Sequence, residues 1–148
     1  MPPPLAAVQF ALLPQVGRLY AADMATREDL RRIALSLPET ATDNDGFSYG
    51  VAGTAIVWTW LERVHPKKAR VPNPDVIAVR VADESEKELL IDMDPTVFFT
   101  EPHYHGYPAI LVRLAAIDVA MLETMVTNAW RLRAPTAVLK TQPASPER

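Results

Sequence analysis

Cysteine is missing altogether, so neither a disulfide framework nor a thiolate-held metal can organise this chain, and nothing in it calls for an oxidising compartment. Glycine is scarce, with five residues in 148, which leaves little material for a phosphate-cradling loop. No dinucleotide fingerprint, nucleophile elbow or zinc-protease helix occurs either. No apolar run reaches the roughly 20 residues that cross a bilayer. The apolar opening from Pro2 to Leu13 lacks the basic start of a secretory signal, and the expectation is a cytoplasmic protein with no membrane partner. A large charge of one sign is also lacking. The formal net charge is -3, so any grip on a polyanion has to come from a local patch rather than from the whole molecule.

What is present suits one domain with one core: 148 residues, 49% of them hydrophobic. Residues 1–23 stand apart. They are rich in Pro and Ala, carry only Arg18 and Asp23 as charges, and show no sustained period; they are expected to be a poorly structured arm, or an extension ahead of a natural start at Met24. The domain is expected over 24–140, and the polar stretch 141–148, with Pro143 and Pro146, as a disordered tail.

Within the domain, Thr26 with Asp29 three residues on marks a helix start. Leu30, Ile33, Ala34 and Leu37 then give one apolar face, and Pro38 stops the helix. Asp43-Asn44-Asp45-Gly46 signals a turn. Phe47 to Val51 and Thr54 to Leu61 read as antiparallel strands reversing at Ala52-Gly53, with Ile56, Trp58 and Trp60 on one face and Val57 and Thr59 on the other. Glu62 to Asp75, holding Pro66, Pro72 and Pro74, reads as a projecting loop because prolines do not suit a central strand. Val76 to Val81 returns as a strand. Asp83 caps a second helix whose buried side is expected to be Leu89, Leu90 and Met93, ended by Pro95.

The chain is densest in groups that both pack and hydrogen-bond over Asp94 to Leu114. Val97, Phe98 and Phe99 enter it, Pro102, Gly106 and Pro108 punctuate a turn, and the nearly continuous apolar run Ala109 to Leu114 suits a strand buried within a sheet. Arg113 in that run needs a partner, carboxylate or carbonyl. A last helix starts at Asp118, buries Leu122, Met125, Val126, Ala129 and Trp130, and ends before Pro135 with Arg131 and Arg133 at its negative pole. Hairpin-like joins rather than regular crossovers argue an α+β fold, an antiparallel sheet with helices packed on one face in two layers.

Several landmarks in order resemble the MmcQ/YjbR family. They are Ala34-Leu35-Ser36-Leu37-Pro38-Glu39, the turn at Val51-Ala52-Gly53, the basic run Glu62-Arg63-Val64-His65-Pro66-Lys67-Lys68, and Asp94-Pro95 followed by Phe98-Phe99. Pro102-His103-Tyr104 with Gly106-Tyr107-Pro108, Leu111-Val112-Arg113-Leu114 and Ala129-Trp130-Arg131-Leu132 before Ala134-Pro135 complete the set. The resemblance runs from about Thr26 to Leu139. It implies a compact α+β fold similar to the frataxin-like and secretion-chaperone-like folds, and it carries a DNA-binding label that rests on comparison with a double-winged module, an argument from fold. Many members have a lysine after the glycine of the Val-x-Gly turn; this chain has Thr54.

The basic run is the best candidate for function. Arg63, Lys67, Lys68 and Arg70 on a projecting loop stiffened by proline can lie along a phosphate backbone, although a solvated loop that keeps a sheet edge soluble has the same composition. His65, His103, Tyr104 and Tyr107 are possible additional contacts, the tyrosines by stacking on bases; Trp130 belongs to a core-facing helix side. His103 and His105, two apart, would share a side of an extended segment, but no third metal ligand accompanies them, so neither a metal nor another cofactor is expected. The reading is therefore a non-enzymatic DNA-binding protein. The alternative is a protein-interaction or small-ligand module using the sheet face and the aromatic region 98–107.

Overall fold

In a computed structural model, residues 24–141 are described; the expected arm at 1–23 and all of the expected tail beyond Thr141 lie outside them. Helix α1 (Arg27–Ser36) starts on the reciprocal cap written into Thr26 and Asp29. Thr26 Oγ1 accepts from the Asp29 N–H at 3.1 Å, and the Asp29 carboxylate accepts from the Thr26 N–H at 3.0 Å. Two amides that no helical carbonyl can reach are thus satisfied. Leu30, Ile33, Ala34 and Leu37 are buried, as their spacing predicts.

Strand β1 (Thr40–Asp43) follows where the sequence suggests only a connection. Its Thr-Ala-Thr-Asp has no apolar run to announce it, because the strand lies at a sheet edge and alternates between half-buried and exposed. It pairs with β2 (Ser48–Val51), which turns through Ala52 and Gly53 into β3 (Thr54–Glu62). Both turn residues have positive φ, 50° and 85°, the twist that a two-residue hairpin prefers.

The expected facing of β3 is corrected at one residue. Tyr49 lies opposite Val57 but Gly50 lies opposite Ala55, so Ile56 is an extra residue on β3. This bulge turns Ile56 into the same core as Val57, while Trp58 and Trp60 stay on the other face. Gly50 permits the close approach, since a Cβ there would stand 2.8 Å from the Thr54 carbonyl oxygen.

A second correction concerns the prolines. Strand β4 runs from Val71 to Arg80 and includes Pro72 and Pro74, so the loop is only the tip at 63–70. The outer segment Val71–Asn73 pairs with β3 alone, whereas β6 reaches only Val76–Arg80. Locally that segment is an edge, where a missing N–H is tolerated. Between Asn73 opposite Trp60 and Ile77 opposite Thr59, residues 74–76 bulge out of register.

Helix α2 (Glu84–Met93) is capped by Asp83, which accepts from the Glu86 N–H. Its buried side differs from expectation: Leu90 and Lys87 point inward, while Leu89 and Met93 are 70% and 60% exposed. The helix is rolled so that the Lys87 amine, rather than a second leucine, enters the protein. Strand β5 (Phe98–Phe99), a 3-10 turn at Pro102–Tyr104, β6 (Ala109–Arg113), a second 3-10 turn, α3 (Val119–Arg133) and the short α4 (Thr136–Leu139) complete the chain.

The six strands form one antiparallel sheet in the order β1-β2-β3-β4-β6-β5. Helices α1 and α3 pack on each other and on the sheet, and the α+β fold expected from the sequence is what the chain adopts. The main core joins Leu30, Ile33, Val57, Ile77, Val79, Ile110, Val112, Leu122, Val126 and Trp130. Trp130 is fully buried and its indole N–H donates to the Pro38 carbonyl at 2.9 Å, tying α3 to the end of α1. Alternate residues of the same strands build a smaller cluster on the other face, where Val76, Ala78, Ala109 and Leu111 meet Tyr104, Trp58, Trp60 and Phe99. No helix among the described residues is long and apolar enough to cross a membrane.

Candidate functional site

The tip at 63–70 joins β3 to β4 beyond their last pair, Glu62 with Val71. Residues 63–69 are exposed and Arg70 is half-buried. The tip holds its own shape. Arg63 donates to the carbonyls of Pro66 and Lys68 at 3.3 and 3.0 Å, the Lys68 N–H donates to the His65 carbonyl, and the Lys67 N–H donates to His65 Nδ1. Arg70 donates to the Leu61 carbonyl at 2.8 Å and stands 3.5 Å from a Glu101 oxygen. Lys67 and Lys68 have no ion-pair partner among the described residues. The nearby carboxylate of Glu62 accepts instead from the Asn73 amide at 2.9 Å.

Beneath this tip, on the sheet face away from α1 and α3, lies a cleft of about 460 Å³ lined by Phe47, Trp58, Leu61, Arg70, His103, Tyr104 and Tyr107. The period-2 alternation of β3 puts Trp58 there. Tyr104 and Tyr107 come from the turn between β5 and β6. The rings meet edge to face, Trp58 with Tyr107 at 6.3 Å and Tyr104 with Tyr107 at 6.0 Å between centroids, the geometry favoured by aromatic quadrupoles. The Trp58 indole N–H donates to the Tyr104 hydroxyl at 3.1 Å. Burial pushes the Tyr104 phenol above its ordinary pKa, and that hydrogen bond partly offsets the shift. The Arg80 guanidinium lies 5.6 Å from the Trp58 ring centroid and 5.9 Å from that of Tyr107, adding positive charge to the aromatic group.

Lys87 fixes the tyrosine-bearing turn. The residue is 2% exposed, and its amine donates to the carbonyls of Tyr104 and Tyr107 at 2.7 and 3.0 Å and to Glu84 at 3.1 Å. All three N–H groups of the ammonium are used. Nothing in the sequence singles out this lysine, because an exposed helical Glu-Lys pair has the same spacing. Trp58 was legible as a strand-face residue, but its neighbours in the cleft come from positions too far apart for any local pattern to link them.

The candidates named from the sequence separate into groups. Arg63, His65, Lys67, Lys68 and Arg70 share the tip; His103, Tyr104 and Tyr107 join Arg70 in the cleft. His103 and His105 do not lie on an extended segment: His103 is inside the 3-10 turn, His105 caps it, and both are exposed. No group of three or more His, Asp or Glu side chains among the described residues is placed to hold a metal. Arg113 is exposed rather than buried. Its guanidinium lies 4.0 Å from the Phe99 ring centroid and donates to the carbonyls of Pro95 and Thr96 at 3.3 and 3.4 Å. Thr54 is half-buried and pairs with Val51 at the base of its hairpin turn.

Fold and site together define an antiparallel α+β domain that carries a basic hairpin tip beside an aromatic cleft. The chain belongs to one family with the uncharacterized protein Rv2570 of Mycobacterium tuberculosis, to which it is 39% identical over 123 residues, covering 79% of this chain and 95% of that one. The uncharacterized protein Mb2600 of Mycobacterium bovis matches to the same extent. Among solved structures, the fold is similar to that of Deinococcus radiodurans protein DR2400, a DUF419 domain, with a TM-score of 0.57 and 17% identity over 80% of this chain and 88% of that one. No protein-family model matches the chain.

Proposed function

We propose that this is a non-enzymatic, cytoplasmic nucleic-acid-binding protein of the MmcQ/YjbR type, which meets phosphate with the tip at 63–70. One observation carries the reading: Lys67 and Lys68 are exposed on a projecting, internally bonded tip with no carboxylate to neutralise them among the described residues. A tip that already has its shape loses little entropy on docking. Two further cations, Arg63 and Arg70, are spent partly on carbonyls. The likeness to a DUF419 domain supports the fold on which this reading rests.

The number of phosphates met sets the salt dependence. Two contacts give a log-log slope of about -1.8 and four give about -3.6, which corresponds to a loss of roughly 12-fold to 150-fold in affinity between 50 and 200 mM salt. Fluorescence anisotropy with a random duplex measures this directly. The Lys67→Ala/Lys68→Ala variant is expected to bind more weakly and to lower the slope by about 1.8; a slope unchanged from that of the parent rejects the tip as the contact. A protein- or small-ligand-binding module on the sheet face is the second reading, favoured by the cleft. Ligand binding of that kind survives loss of both lysines.

A further inference from the structure

The cleft and the tip are continuous, since Arg70 lines the first and closes the second, and Leu61 at the end of β3 borders both. Their surfaces nevertheless suit different parts of a nucleic acid. The tip offers point charges, which any backbone satisfies. The cleft offers ring surface from Tyr107, which is 43% exposed, and from the half-buried Trp58, beside the buried Tyr104, and its volume falls in the range of sites for small molecules, about 300–1,000 Å³.

We infer that the cleft receives one unpaired nucleobase of a single strand whose phosphates lie on the tip. The inference rests on the phosphate-binding reading above and narrows its substrate class. A base stacked inside a duplex shows only its edges in the grooves, so it cannot offer a face to Trp58 or Tyr107. An unpaired base can, and stacking on aromatic side chains is tolerant of sequence because every base has a π-face. Charge agrees with this occupant. Arg70 and Arg80 flank the rings, with Glu101 the carboxylate close to Arg70; the site suits a planar group attached to an anion better than a neutral or cationic one. The turn that carries the tyrosines is held through its backbone by Lys87, so the ring of Tyr107 can be exchanged without removing the support.

The test compares a short oligothymidine strand, a random duplex of equal length and free thymidine monophosphate, by anisotropy or competition and by tryptophan fluorescence. The strand is expected to bind more tightly than the duplex and to quench fluorescence, and the quenching is lost in Trp58→Phe. Tyr107→Ala is expected to weaken strand binding by roughly 5-fold to 150-fold while duplex binding stays as it was; Tyr107→Phe, which keeps the ring, retains strand binding and guards against a folding artefact. Equal affinity for strand and duplex, with Tyr107→Ala changing neither, overturns the base-stacking inference and leaves phosphate binding by the tip intact. Binding of neither polymer overturns both. Quenching by the free mononucleotide as strong as by the strand makes the cleft a nucleotide site and overturns the proposal of a strand.

Discussion

A lysine taken out of water retains its place only if its protons find acceptors, and Lys87 finds three. Two of them are carbonyls of the turn that builds the cleft, so the charge buried in α2 works as a pin for residues distant in sequence. Replacing a buried ion pair by an apolar side chain can cost little. Here each carbonyl would keep one backbone donor, the Tyr107 N–H for Tyr104 and the Ala109 N–H for Tyr107, and would lose its second, charge-assisted bond. Lys87→Met is therefore expected to lower stability by roughly 1–3 kcal/mol in urea unfolding, with the tyrosine-bearing turn becoming the first part to exchange its amides. Tyr104, on the same turn, has a phenol whose folded pKa is raised by burial. Its contribution to stability is complete below the ordinary phenol value and is lost as pH rises from there through the higher folded value. Ultraviolet titration should show one tyrosine ionising late. In Trp58→Phe it should ionise later still, because the indole hydrogen bond that favours the phenolate is gone.

Single elements were legible where a local rule has one solution. The capping box of α1 is such a case, and Thr26→Ala is expected to cost about 0.5–2 kcal/mol, measured by thermal or urea unfolding. Backbone hydrogen bonding from Thr26, with Arg32 beside it, holds the Asp29 carboxyl below its ordinary value. The stabilisation is present above the unfolded carboxylate value and disappears as pH falls through the lower folded one; Asp29→Asn removes that acid-side dependence, which an unfolding series over pH detects. The hairpin at Ala52-Gly53 and the buried strand β6 were equally plain. Others were obscured by pairing that no single segment specifies. Strand β1 has no apolar signature, the bulge at Ile56 reverses one side chain, and Pro72 is permitted only because β6 stops short of it. The roll of α2 depends on carbonyls supplied by a turn seventeen to twenty positions away.

Across the whole molecule, composition and order were enough for the α+β arrangement, because alternating strands with hairpin joins and three capped helices leave few other ways to bury the apolar residues. The basic tip could be named residue by residue from its sequence. Of the cleft, Arg70, His103, Tyr104 and Tyr107 could be named as candidates, but not their meeting with Phe47, Trp58 and Leu61, which share a wall with them only after the strands have registered. That registration also bears on the net charge of -3: the excess of acid need not oppose a polyanion if the lysines stand at the end of a protruding hairpin, because salt screens acids more than about a Debye length away.

The sheet itself ends in two short margins, the two-residue β5 on one side and β1, closed by Asp43, on the other. A recruited strand would find at β5 too brief a ladder to zip onto, and at β1 a polar, charged rail. Polymerisation by edge-to-edge growth is thereby discouraged at both of these borders, and the two exposed apolar side chains of α2, Leu89 and Met93, lie on a helix rather than on either of them.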